Sequence, residues 1–352
     1  MTPSQWHTFK RAARLEKLEK IPMAMIIDSP WIPGYVGVKH MDFFLDPQCW
    51  FQSHWKIHQE FPEVIFVPGW WMEYGMAAEP SVLGSKIKFW QDNTPSEYHM
   101  LFNIEDVDKL PEYEVEADAF MAMTLHRLRM QRQQVIDTGE IWTMATARGP
   151  MCTAGFARNT SDLMIDIVEK PEWVHKLLDL STRIIIDWLK AQAKIMGPTV
   201  GGIFLLDDIV GFVNEDHYKE FCHPYLKRIC DAFPQDWVKL YHNDASVEAC
   251  LEHLPDCGFN MLNWGKQTDI ADVKARVGHR MCLMGNVNPL EVAVRGTPGE
   301  VRLATLDVLE KGGDRGMVLS VGGGVSPGMP RQNMRAMIDA LAEFNQAHFG
   351  VR

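Results

Sequence analysis

Eight short apolar runs, separated for the most part by helical patterns, constrain this chain more than any other feature. They lie at 22–28, 64–69, 142–150, 201–208, 237–244, 259–264, 280–287 and 316–322. Most are nearly continuous rather than alternating, the pattern of parallel strands covered on both faces. Helix starts are written between them. Asp46-Pro47 offers an N-cap followed by proline at the first helical position, and Thr297-Pro298 repeats the device. Residues 171–197 form one long amphipathic pattern, and 214–233 another, with Pro224 as its break. Eight βα units in 352 residues predict an α/β fold, a single TIM (β/α)8 barrel over 1–352 led in by a helix at 4–20. A doubly wound open sheet is the alternative. No GxGxxG follows the first run, so nothing supports dinucleotide binding.

Residues 70–111 depart from a minimal barrel. A segment this long between a strand and its helix is usually functional or disordered. Its Trp70, Trp71, Tyr74, Trp90 and Tyr98 argue for order, as a lid with a hairpin near 86–90 over the pocket.

The totals remove several function classes. With 35 basic and 46 acidic residues the net charge is −11, which disfavours a nucleic-acid partner. No apolar run approaches the roughly 20 residues of a membrane helix, and the first residues lack a signal pattern. Seven scattered cysteines without a CxxC argue against a disulfide framework and for a reducing cytoplasm.

Barrel active sites sit at the C-terminal ends of the strands, so the tips carry the chemistry. The first gives Asp28, with Trp31 and Tyr35 after it; the second gives Trp70, Trp71 and Glu73. The third gives Arg148, followed by Cys152 and Phe156. Next come Asp207 and Asp208, then His242, Asn243 and Asp244, then Asn263 and Trp264. Asn286 and the Gly322–Gly324 run close the circle. Carboxylates beside an imidazole suit acid/base work or, equally, a divalent metal. Asp244 precedes a helical stretch and could instead be a plain N-cap. Four polar groups on neighbouring tips (Asp207, Asp208, His242 and Asp244) are harder to read as four separate caps. Cys222-His223 reads as packed core. Cys250, His253 and Cys257 have metal-like spacing but fall away from the tips.

Several stretches together resemble the uroporphyrinogen decarboxylase superfamily. They are Leu206-Asp-Asp-Ile-Val-Gly-Phe212, the Tyr218-x-x-Phe-x-x-Pro-Tyr-Leu-Lys227 pattern, Leu262-Asn-Trp264, Gly285-Asn-Val-Asn-Pro289 and the run from Gly322 to Pro330. The resemblance implies a barrel, often as a homodimer, with one of two chemistries: cofactor-free decarboxylation of a tetrapyrrole, or methyl transfer with corrinoid proteins. The decarboxylase motifs are missing. The arginine-rich N-terminal motif would fall on Asp28-Ser-Pro-Trp-Ile-Pro-Gly-Tyr35, and the decarboxylase's Asp, Tyr, Ser and His would fall on Gly69, Phe156, Asp208 and Gly323. An acidic mouth also suits a polycarboxylate poorly.

The methyltransferase branch fits better. Its zinc-dependent members carry His-x-Cys where this chain has His242-Asn-Asp244, and a further Cys where it has Gly322–Gly324. The resemblance therefore implies a methyltransferase moving methyl from a small methylated donor, such as an aryl or alkyl methyl ether, to a separate corrinoid protein. Zinc would be held by His242, Asp244 and Glu73; Asp207 and Asp208 would orient the donor. Arg148, Asn243, Asn286 and Gly323 would contact substrate, beside an aromatic wall of Trp31, Tyr35, Trp70, Trp71, Phe156 and Trp264. No Asp-x-His-x-x-Gly occurs, so cobalamin (the corrinoid) would arrive on a partner. The alternatives are a lyase or decarboxylase of a small acid held by Arg148, and a corrinoid- or tetrapyrrole-binding protein.

Overall fold

A computed structural model describes residues 1–351. Ten strands follow one another: β1 (Ala24–Ile26), β2 (Ile65–Val67), β3 (Lys86–Lys88), β4 (Ser96–Tyr98), β5 (Met144–Arg148), β6 (Gly202–Leu206), β7 (Val238–Asn243), β8 (Met261–Trp264), β9 (Cys282–Val287) and β10 (Met317–Val321). Eight of them coincide with the eight apolar runs, trimmed at their ends. They are the parallel staves of a TIM-type barrel. β5 to β10 form one parallel sheet in chain order, and β1 pairs with β2. A parallel bridge between Met23 and Leu319, with Leu319 N donating to Pro22 O at 2.9 Å, joins β10 to β1. The remaining pair, β3 with β4, is antiparallel and forms the hairpin inside the long insertion.

The apolar side chains divide by strand parity. Met144, Phe204, Leu240, Met261, Met284 and Val318 belong to one buried cluster inside the barrel, with Ala24, Ile26, Ile65 and Val67. Residues one step along, such as Ala145, Ile203, Tyr241 and Leu262, join the outer cluster against the helices. Successive side chains of a strand point to opposite faces, so a continuous apolar run serves both layers. The helices are capped as their sequences suggest. Asp46 accepts from Gln48 N at 2.8 Å ahead of Pro47–Glu60, and Thr297 forms a capping box with Glu300 ahead of Pro298–Gly312. In the last helix, Arg331–Phe349, Asn345 grips both backbone groups of Ile21 at 2.9 and 3.0 Å and so fixes the approach to β1.

Among the described residues no ladder joins β2 to β5, and a side-chain network spans that seam instead. The Glu140 carboxylate, just ahead of β5, accepts from Trp70 Nε1 at 2.8 Å and from His58 Nδ1 at 2.9 Å. Burial opposes the charge on Glu140, but His58 and the Met1 α-ammonium, which also donates to it at 2.9 Å, outweigh that and hold the carboxyl well below the usual range. Glu140→Gln should cost about 2–3 kcal/mol in urea unfolding, the worth of hydrogen bonds to a buried charge. That loss should shrink as pH falls below the ordinary glutamate range, because a depressed pKa gives stability only above it. An unchanged urea midpoint at pH 7 would show that the network does not hold the seam.

Candidate active site

Four residues stand side by side at the C-terminal ends of the central strands. Arg148 pairs in register with Leu206, Leu206 with His242, and His242 with Asn263. All four share the lumen parity. Above them opens a cavity of about 190 Å³, lined by Arg148, Leu206 and His242 together with Asp28, Ser29, Glu73, Asp208, Asp244 and Gly324. The insertion closes one side, with Gly75, Met76 and Thr94 in the lining.

His242 is held rigidly. Asn263 Nδ2 donates to Met284 O at 2.7 Å and to Val321 O at 3.2 Å, which leaves its Oδ1 facing the imidazole at 2.8 Å. An amide oxygen only accepts, so Nδ1 of His242 carries a hydrogen. Nε2 is directed to Asp244 Oδ2 at 3.6 Å and Asp208 Oδ1 at 3.7 Å. Burial works against a charged imidazole here, but Asp244 foremost, then Asp208 and Asn263, overcome it and raise its pKa to about 9. The ring is therefore an imidazolium at neutral pH. Asp208 also accepts the Asp244 backbone N–H at 2.7 Å, tying the β6 and β7 tips together.

Asp28 and Glu73 occupy another part of the lining. Both Glu73 oxygens accept backbone N–H groups, from Ser29 at 2.6 Å and Gly75 at 2.8 Å. Burial raises both carboxyls, and for Asp28 the charge of Glu73 adds to it. Two such groups side by side retain a proton between them at neutral pH.

The neighbours Asp207 and Asp208, just past the end of β6, point to different places. Asp207 is fully buried and points away from the lumen, accepting from Cys152 N at 2.7 Å and Met151 N at 3.3 Å. It caps the helix Pro150–Arg158 and is absent from the cavity lining. Asn243 also has outward parity; its Oδ1 accepts from Ala245 N at 2.8 Å within its own turn. The Gly322–Gly324 run provides room for a side chain of the protein itself, since a Cβ on Gly323 would lie 1.9 Å from Asp244 Oδ1.

The expected aromatic wall is dispersed. Trp31 donates to Met329 O and packs on Tyr35. Trp70 stacks on Phe51 below the seam. Trp264, again of outward parity, donates to Thr268 O at 2.9 Å, and Asn286 reaches the same carbonyl at 3.1 Å. Phe156 is half-buried on its helix and absent from the cavity lining. Trp71 alone comes near, beneath Arg148, whose guanidinium carbon is 5.6 Å from the ring centre. The cavity is consequently mixed, its charged groups facing Ile26, Pro30, Met76 and Leu206 rather than an aromatic wall.

The three side chains expected to hold zinc are not assembled as a donor set: Glu73 spends both oxygens on backbone N–H groups. Among the described residues, no group of three or more His, Cys, Asp or Glu side chains is placed to hold a metal ion. That includes the second cysteine and histidine group. There Cys257 Sγ lies 3.3 Å from His223 Nδ1, while His253 Nε2 pairs with Glu215 at 3.0 Å. Asp28 and Asn263, both tips, are the lining and positioning residues that the expected site set left out. Their inward parity was the available signal.

The sequence profile described as Uroporphyrinogen decarboxylase (URO-D) matches residues 7–344. This chain belongs to the uroporphyrinogen decarboxylase family. The curated family members it resembles are distant. A uroporphyrinogen decarboxylase of Methylococcus capsulatus is 26% identical over 279 residues, 76% of this chain and 77% of that one. One from Ruthia magnifica is 26% identical over 216 residues, 59% of each chain. Among solved structures, a methyltransferase from Methanosarcina mazei superposes with a TM-score of 0.80 at 19% identity, covering 97% of this chain and 98% of that one. The family fold is thus shared almost end to end. No helix of the described residues is long and apolar enough to cross a membrane.

Proposed function

We propose that this family member is a methyltransferase that takes a methyl group from a small O-methylated donor and passes it to a corrinoid carried by a separate protein. The observation that carries the reading is His242, an imidazolium held by Asn263 with Nε2 turned to the cavity between Asp208 and Asp244. Such a group can donate a proton to an oxygen as its bond to carbon breaks. The acceptor's electron pair forms the new bond to methyl. The C–O pair stays on the donor oxygen and takes the Nε2 proton, so an alcohol or phenol leaves. Asp244, whose side chain is 54% exposed, links the imidazole to solvent for reprotonation.

The curated relatives are named for decarboxylating uroporphyrinogen, but this cavity gathers Asp28, Glu73, Asp208 and Asp244 against Arg148 and His242. That balance repels a multiply charged anion. A carboxy-lyase of a small acid is the second reading, favoured by Arg148 in the lining. Incubating the purified protein with reduced cobalamin and a panel of methyl ethers tests the first. Loss of the reduced-cobalamin absorbance is expected with at least one ether. Carbon dioxide release from small acids, with no cobalamin methylation, would replace it by the second.

A further inference from the structure

Arg148 is 8% exposed, and among the described residues no side chain hydrogen-bonds or ion-pairs with its guanidinium, which lies over Trp71 and faces the cavity. Its backbone N–H donates to Glu79 Oε1 at 2.8 Å. Glu73, Glu79 and Asp208 surround the side chain and stabilise its charge against burial, but none forms an ion pair with it. A guanidinium offers five donors in a planar fork, and here they open onto the cavity rather than onto acceptors of the protein. This arrangement is suited to an incoming acceptor. The register places that acceptor: Arg148 and His242 share one row with Leu206 between them, about 10 Å apart at the normal strand spacing. Both face the same cavity of about 190 Å³. A cavity of roughly 150 Å³ accommodates one benzene ring, so a single small molecule can touch both.

Resting on the methyl-transfer reading of this pocket, we propose that Arg148 sets substrate choice by hydrogen-bonding a second, uncharged oxygen of the donor, a hydroxyl, phenol or carbonyl near the methyl-bearing oxygen served by His242. An uncharged acceptor is favoured over a carboxylate because Glu73, Glu79 and Asp208 already supply the negative charge that the guanidinium requires. Glu79, buried behind Arg148 and outside the cavity lining, becomes the positioning residue that enforces this choice.

Calorimetric binding to the full chain without any methyl acceptor tests this apart from turnover. The probes are 2-methoxyphenol, methoxybenzene and 2-methoxybenzoate. Wild type should bind 2-methoxyphenol at least tenfold more tightly than methoxybenzene, with 2-methoxybenzoate weaker than the phenol. Arg148→Met should abolish the preference for the phenol, and Arg148→Lys should restore part of it. Glu79→Gln should raise the affinity for 2-methoxybenzoate about tenfold. Equal binding of phenol and ether in the wild type, tightest binding of the benzoate, no binding of any probe, or a preference that survives Arg148→Met would each overturn the proposal. If Arg148→Met does not fold, the Lys and Glu79→Gln arms decide. The expected pattern without cobalamin methylation would instead leave the binding role standing and remove the methyl-transfer reading.

Discussion

His242→Asn is expected to lower the proposed methyl transfer by about 10²- to 10⁴-fold, the usual worth of a positioned general acid, with the protein still folded. The substitution removes the proton at Nε2 while an amide can still meet Asn263. The pH dependence carries a matching sign. His242 has its pKa raised to about 9 by Asp244 and Asp208 acting against burial. The acid form therefore persists below about 9, and the rate should fall tenfold per pH unit above it. The same raised value stabilises the fold fully below the ordinary histidine range. That contribution fades as pH rises from the ordinary value of 6.5 toward about 9. A pH–rate profile on wild type and variant checks both. A wild-type rate that stays level through pH 10, or a variant keeping more than a tenth of the activity, would remove His242 from the role of acid.

The largest stability effect is expected from Gly149→Ala. A Cβ there would lie 2.2 Å from Asp207 Cγ and 2.3 Å from its Oδ2. Asp207 cannot retreat without losing Cys152 N and Met151 N, its two partners at the start of Pro150–Arg158. Overpacking costs about 1–3 kcal/mol and a lost cap about 1 kcal/mol, so a fall of about 2–4 kcal/mol follows. In urea unfolding this should appear as a lower midpoint with an unchanged slope. Asp207→Ala should lose less, about 1–2 kcal/mol, because it removes the cap without the clash. If Gly149→Ala matches wild type, the close packing of the β5 and β6 tips is not as described.

Much of this protein was determined by its sequence alone. Continuous apolar runs at βα spacing specify parallel strands buried on both faces, and eight of them specify a barrel with its site at the strand ends. The hairpin in the insertion was legible from its aromatic content, and the tips named several of the residues that line the candidate cavity. Tertiary structure decided which of those residues face one another. Asp207 and Asp208 are adjacent and chemically identical, but one caps a helix and the other faces His242, because the chain leaves β6 at Leu206 and turns into a short 3-10 segment between them. The tryptophans following β1 and β2 and ending β8 looked like a pocket wall, but indole N–H groups need acceptors when buried. Met329 O, Glu140 and Thr268 O draw Trp31, Trp70 and Trp264 to other places. Only the assembled barrel shows that the Arg148 guanidinium faces the cavity without an ion pair, since that depends on where Glu73, Glu79 and Asp208 come to rest.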